Sequence, residues 1–244
     1  MTRRSAALSL AGLAGLKAAS LPEKTVVLTF DDGVASHATT VGPLLKQFGF
    51  TGTFFVCEFP PDFADKTKYM TWEQIRGLHE MGFEVGSHTH THAHVTKLTA
   101  EGLHAELSWV EDEFRQLGIP KPVSFAYPGY DTHPAALAVL KQRGYLFART
   151  GGKAPYVRPY DVAKDDPLLM PSFTSGEDRK PVMDAFLQAK PGQVIVLTVH
   201  GVPDHAHPWV TTPLPLFESY LQYLKDYRFT TLAMRDLKQY LPRG

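Results

Sequence analysis

From Lys24 onward, short runs of β-branched and aromatic residues alternate with amphipathic stretches. That alternation admits few folds, because repeated βα units bury their strands on both faces only when a largely parallel sheet is wrapped by helices. The pattern predicts seven strands, at 24–30, 51–57, 83–88, 121–128, 145–149, 193–201 and 229–232. Helices are predicted at 37–49, 71–82, 99–118, 134–144, 179–192, 215–227 and 234–241. Within 99–118 the apolar positions Leu103, Leu107, Val110 and Phe114 keep helical spacing. Thr71 reads as a helix cap, and the run "QVIVLTVHG" is apolar on both faces, as a buried strand requires. Segments 58–70 and 150–178 carry no such period and are expected to be irregular.

The chain has 244 residues, 43% of them hydrophobic and 20% charged, which is globular usage and excludes disordered and fibrous classes. Lys plus Arg equals Asp plus Glu at 25 each with no basic run, so nucleic acid is not an expected partner. Residues 1–20 contain Arg3 and Arg4, an apolar stretch from Ala6 to Leu16, and then small residues. That is the grammar of an export signal, too short for the roughly 20 residues of a stable transmembrane anchor. An exported protein, periplasmic or secreted, is the expectation, with a cytoplasmic tail as the alternative. Residues 21–244 then form a single domain. Cys57 has no partner for an internal disulfide and reads as a small buried hydrophobe.

Chemistry-bearing residues recur where predicted strands end: Asp31 and Asp32 follow the first, His88 ends the third, Tyr127 to Tyr130 end the fourth, and His200 ends the "VIVLTVH" strand. In α/β barrels the loops leaving the carboxyl ends of strands converge, so these residues are expected on one face. Adjacent Asp31 and Asp32 reach one centre only if the chain bends, which Gly33 permits, and a divalent cation between them would keep both ionised. The alternative is an Asp-Asp-Gly turn. In "GSHTHTHAHV" four histidines stand at every second position. On a strand all four would share a side; on a turn entering a helix, His88 pairs with His92 and His90 with His94. Spacing alone does not choose between them.

"TFDDG", "HTHTH", "FAYPGY" and "VLTVH", in that order, resemble the polysaccharide deacetylase family, the chitooligosaccharide-deacetylase-like carbohydrate esterases, over about Val26 to Leu241. The resemblance implies a distorted, incomplete (β/α)7 barrel. It implies Asp31 as general base, Asp32, His88 and His92 as metal ligands, and His200 as general acid. The metal would be Zn²⁺ or another divalent ion such as Co²⁺, Ni²⁺ or Mn²⁺. The implied reaction is hydrolysis of an N- or O-acetyl group on a carbohydrate, with a backbone N–H near Gly129 or Tyr130 holding the oxyanion. Trp209, in the Pro-punctuated loop after His200, offers a sugar-stacking surface or else packs inward.

Two family features are missing. An arginine that positions the base would fall where Ala126 stands, which leaves that partner unassigned. A partner for the acid histidine is also not found; Asp165 and Asp166 are candidates, equally readable as a polar turn. Two further readings keep the motifs: hydrolysis of a small cyclic amide on the same fold, and a glycan-binding module without turnover.

Overall fold

The structure is a computed structural model and describes residues 20–242. The expected export leader, residues 1–20, lies outside the described residues but for Ser20. Strands β1 (Thr25–Phe30), β2 (Thr53–Val56), β3 (Glu84–Ser87), β4 (Ser124–Ala126) and β5 (Phe147–Arg149) pair in parallel, each with the next. Between them run α1 (Gly42–Phe48), α2 (Trp72–Glu80), α3 (Ala100–Gln116) and α4 (Pro134–Gln142). Then follow β6 (Tyr160–Asp161), β7 (Phe173–Thr174), α5 (Lys180–Phe186), β8 (Gln193–Val199), α6 (Leu214–Asp226) and β9 (Thr230–Leu232).

The sheet order is β5-β4-β3-β2-β1-β8-β6, with β7 beside β8 and β9 beside β1. It curls into an incomplete barrel, the fold class expected. The gap between β5 and β8 is spanned by one stretch: Met170 bridges Arg149, and Phe173–Thr174 pair with Leu197–Thr198. Strand β1 divides its length, pairing β9 over Thr25–Val27 and β2 over Thr29–Phe30.

Period-two alternation builds two cores. Val26, Leu28 and Phe30 point outward with Ile195, Leu197 and Val199 into a cluster with Phe217 and Leu221 of α6. Val27, Val194 and Val196 point into the barrel against Phe55, Ala126, Phe147 and Met170. Each fully buried aliphatic or aromatic side chain contributes about 1.5–3 kcal/mol. Thr71 caps α2 in a reciprocal box, accepting from Gln74 N while the Gln74 side chain accepts from Thr71 N.

Three expectations need correction. Strands β6 and β7 lie inside the segment expected to be irregular; at two residues each they are too short to show a period. The helix expected over 37–49 opens with a wide turn, His37–Val41, before α1, whose second residue, Pro43, lacks an N–H for the ladder. The run Met234–Tyr240 is 3₁₀ rather than α-helical.

Candidate metal centre

Asp31 continues β1 for one more bond, donating its N–H to Val199 O at 3.0 Å. The chain then bends sharply: Asp32 has φ +75° and Gly33 φ +62°. The bend therefore begins at the aspartate itself, at a left-handed geometry that costs a non-glycine residue roughly 1–2 kcal/mol. It swings Asp32 back so that both carboxylates enter one cleft.

His88 follows β3 directly, its N–H on Val56 O at 3.0 Å. Its Nδ1 lies 2.8 Å from Ala126 O and donates there, which leaves the Nε2 lone pair facing the cleft. The segment after it is neither strand nor helix. Thr89 (φ +63°) and His92 (φ +56°) turn the chain twice, and these turns bring the His88 and His92 rings to 4.9 Å. Asp32 Oδ1 then faces His88 Nε2 at 3.4 Å and His92 Nε2 at 3.5 Å. One donor atom from each of the three residues lies within 4.8 Å of the other two. Asp32 Oδ1 is buried and has no hydrogen-bond partner among the described residues. A carboxylate oxygen left in that state is costly, and a cation shared with two imidazoles would satisfy it. The residues present therefore fit a divalent metal.

The electrostatics agree. Burial pushes the Asp32 carboxyl upward, but His88, His200 and His92 outweigh it and hold the group well below the usual carboxylate range. Burial and neighbouring His88 press His92 down to about 4, keeping it neutral. For His88 burial is outweighed by Asp31 and Asp32, which pull it upward. Two carboxylates thus draw positive charge to this spot.

Around this group lies a cleft of about 330 Å³ lined by Asp31, His200, Tyr127, Gly129, Tyr130, His207 and Trp209 among others. His200 follows β8, with Nε2 3.9 Å from Asp32 Oδ2; its Nδ1 is buried without a partner among the described residues. Gly129 (φ +61°) packs so closely on His94 that a Cβ would stand 2.2 Å from the ring. Tyr130 N–H is committed to Tyr127 O at 2.9 Å, and its hydroxyl meets Thr174 Oγ1 at 2.8 Å. Trp209 stands on the rim, 79% exposed. The inward-packing alternative for it is not what the structure has.

Arg149 belongs to the candidate site too, although none of the sequence motifs points to it. This fully buried arginine, the last residue of β5, bonds Asp31 Oδ2 through Nη2 at 2.5 Å and Thr198 Oγ1 through Nη1 at 2.9 Å. Asp31 Oδ1 has no partner among the described residues. The signal was available in "YLFART", another polar side chain at a strand's carboxyl end. His207, in the loop after His200, also reaches the site: its Nδ1 lies 3.4 Å from Asp32 Oδ2, and Asp204 organises its loop. Asp165 and Asp166 do not approach His200: Asp165 pairs with Arg158 at 2.6 Å, and Asp166 accepts from Leu168 N. They are a polar turn.

A family model described as polysaccharide deacetylase matches residues 18–148. A chitin deacetylase of Arthroderma benhamiae is 36% identical over 91 residues, 36% of this chain and 23% of that protein. The putative polysaccharide deacetylase YxkH of Bacillus subtilis is 26% identical over 128 residues, 52% of this chain and 45% of that protein. The match spans less than half the length of either relative. Among solved structures, the Xyl-CE4 domain of a multidomain xylanase from the hindgut metagenome of Trinervitermes trinervoides superposes with a TM-score of 0.62 at 20% identity, covering 90% of this chain and 91% of that one. At that identity the likeness establishes the fold.

Proposed function

This chain belongs to the polysaccharide deacetylase family, and from that premise we propose that it is a metal-dependent hydrolase releasing acetate from an N- or O-acetylated glycan. One observation carries the reading: the buried, unpartnered Asp32 Oδ1 faces two imidazole nitrogens at 3.4 and 3.5 Å, beside a second buried carboxylate. Asp32, His88 and His92 would hold the ion, Zn²⁺ or another divalent metal such as Co²⁺, Ni²⁺ or Mn²⁺. When bound, it supplies Lewis acidity, which acidifies water and polarises an acyl oxygen.

Asp31 is the general base. Arg149 occupies its Oδ2, so the free Oδ1 takes the proton of the attacking water. As the carbonyl carbon becomes tetrahedral, negative charge gathers on its oxygen. With Tyr130 N–H engaged, the backbone donor for that oxygen is assigned to Gly129, which lines the cleft and whose missing Cβ lets the His94 ring pack behind it. His200 Nε2 protonates the departing amine or alkoxide as the C–N or C–O bond breaks. Acetate and a free amino or hydroxyl sugar leave. Trp209 offers an exposed face for a sugar ring at the cleft mouth.

No helix among the described residues is long and apolar enough to cross a membrane. The test is an acetate-release screen, with divalent metal restored, over chitooligosaccharides, peptidoglycan fragments, poly-N-acetylglucosamine and acetylxylan. Release from at least one is expected. Ring opening of a cyclic amide, or sugar binding with no acetate from any substrate, would replace this reading with one of its alternatives.

A further inference from the structure

The two histidines that do not face the cation space still need an account. His94 Nδ1 meets Asp131 Oδ2 at 2.7 Å, away from Asp32. His90 sits between the two proposed ligands in the chain, and its N–H, its C=O and its ring Nε2 are all held. Its ring stacks on Trp109 of α3 with centroids 3.6 Å apart and planes 10° from parallel. Its Nε2 meets Glu58 Oε2 at 3.1 Å, and the other Glu58 oxygen accepts Trp72 Nε1–H at 3.1 Å. Glu58 N–H donates to His90 O at 2.6 Å. On the opposite side Glu106, from α3, accepts both His90 N–H and Thr91 N–H on Oε2, each at 2.8 Å, and Thr91 Oγ1–H on Oε1 at 3.0 Å.

From this we infer that Glu106 is a positioning residue for the metal site, acting through the His90–Thr91 backbone to set the distance between His88 and His92. The inference rests on the metal reading above. Its physical basis is local. Two residues of the 88–92 turn, Thr89 and His92, hold left-handed φ values that the chain alone disfavours. The turn persists only if surrounding contacts over-determine it. Peptide N–H groups 90 and 91 belong to no strand or helix, and a single carboxylate oxygen gathers both. Such charge-assisted bonds are about twice as strong as neutral ones. Glu106 is anchored in a seventeen-residue helix, so the turn inherits the rigidity of α3. A metal site pre-set in this way binds without having to order its ligands first.

The experiment is titration of the metal-stripped protein with Zn²⁺ against a chromophoric chelator, with apo-protein melting recorded alongside. Glu106→Ala should weaken Zn²⁺ about 10–100-fold, the size expected for loss of an outer partner of a metal ligand. Glu106→Gln, which keeps a carbonyl acceptor at the same reach, should stay within about fivefold of the parent by the same reasoning. Glu106→Asp keeps the charge but withdraws it by one methylene; it should fall between them, and serves if the alanine variant does not fold. Parental affinity in the alanine or aspartate variant overturns the inference, as does equal loss in glutamine and alanine variants. A parent that takes up no Zn²⁺ sinks the functional reading and this inference with it. A parent that binds Zn²⁺ no better than Glu106→Ala sinks this inference alone.

Discussion

Ala126 and Arg149 are register partners across β4 and β5. In a parallel pair, such residues project to the same side with backbones about 4.8 Å apart. The arginine expected at 126 therefore stands one strand over and still reaches Asp31. Removing it by Arg149→Ala leaves a carboxylate only 3% exposed without its guanidinium partner. Breaking a buried pair from one side costs about 3–5 kcal/mol. If that whole cost falls on orientation of the base, it corresponds to roughly two to almost four orders of magnitude in kcat/KM at about 1.36 kcal/mol per decade. The assay is acetate release under substrate-limited conditions, with metal content measured on the same sample. The decisive arm is the exchange variant Ala126→Arg/Arg149→Ala, in which the new side chain enters the volume the old one vacates. It should regain at least about tenfold over the single variant, one decade of the cost above. A kcat/KM of Arg149→Ala within about threefold of the parent would overturn this role for Arg149. So would a folded, metal-replete exchange variant that regains nothing.

Other expectations are more direct. Asp31→Asn and His200→Ala should each abolish turnover of an acetamido sugar while metal content by elemental analysis stays parental; on an acetyl ester with a good leaving group, which needs little acid help, His200→Ala should retain markedly more activity than Asp31→Asn. Glu84, the first residue of β3, is buried, and burial raises its carboxyl above the ordinary glutamate range although Ser124, Arg235 N–H and Thr53 bond it. Because the folded-state value is the higher one, its stabilising contribution is full below the ordinary glutamate value and is lost as pH rises through the raised value. Melting of Glu84→Gln against the parent should therefore favour the variant most at neutral pH and least near pH 4; a gap independent of pH would contradict this.

Much of the site was readable because it obeys a local rule. Asp31, Asp32, His88 and His200 each stand one or two residues past a strand whose period was visible, so the fold class and the face followed together. What was unreadable depends on distant pairings. Arg149 obeys the same strand-end rule, but nothing in "YLFART" says that β5 lies where its guanidinium meets Asp31. That His88 and His92 face Asp32, and His90 and His94 do not, follows from positive φ at Thr89 and His92 and from Glu58, Glu106 and Asp131 holding the other groups of the segment. Neither is encoded in alternate-residue spacing. Strands β6 and β7 exist because Met170 and Phe173–Thr174 fill the barrel's gap, a tertiary demand that two-residue segments cannot announce.

The central claim is that Asp32, His88 and His92 grip one cation. Crystals of the Zn²⁺-loaded protein, measured above and below the zinc absorption edge, test it most directly. One anomalous peak per chain is expected within about 2.0–2.2 Å of Asp32 Oδ1, His88 Nε2 and His92 Nε2. No peak there, or a peak held by His90 and His94 instead, would contradict it.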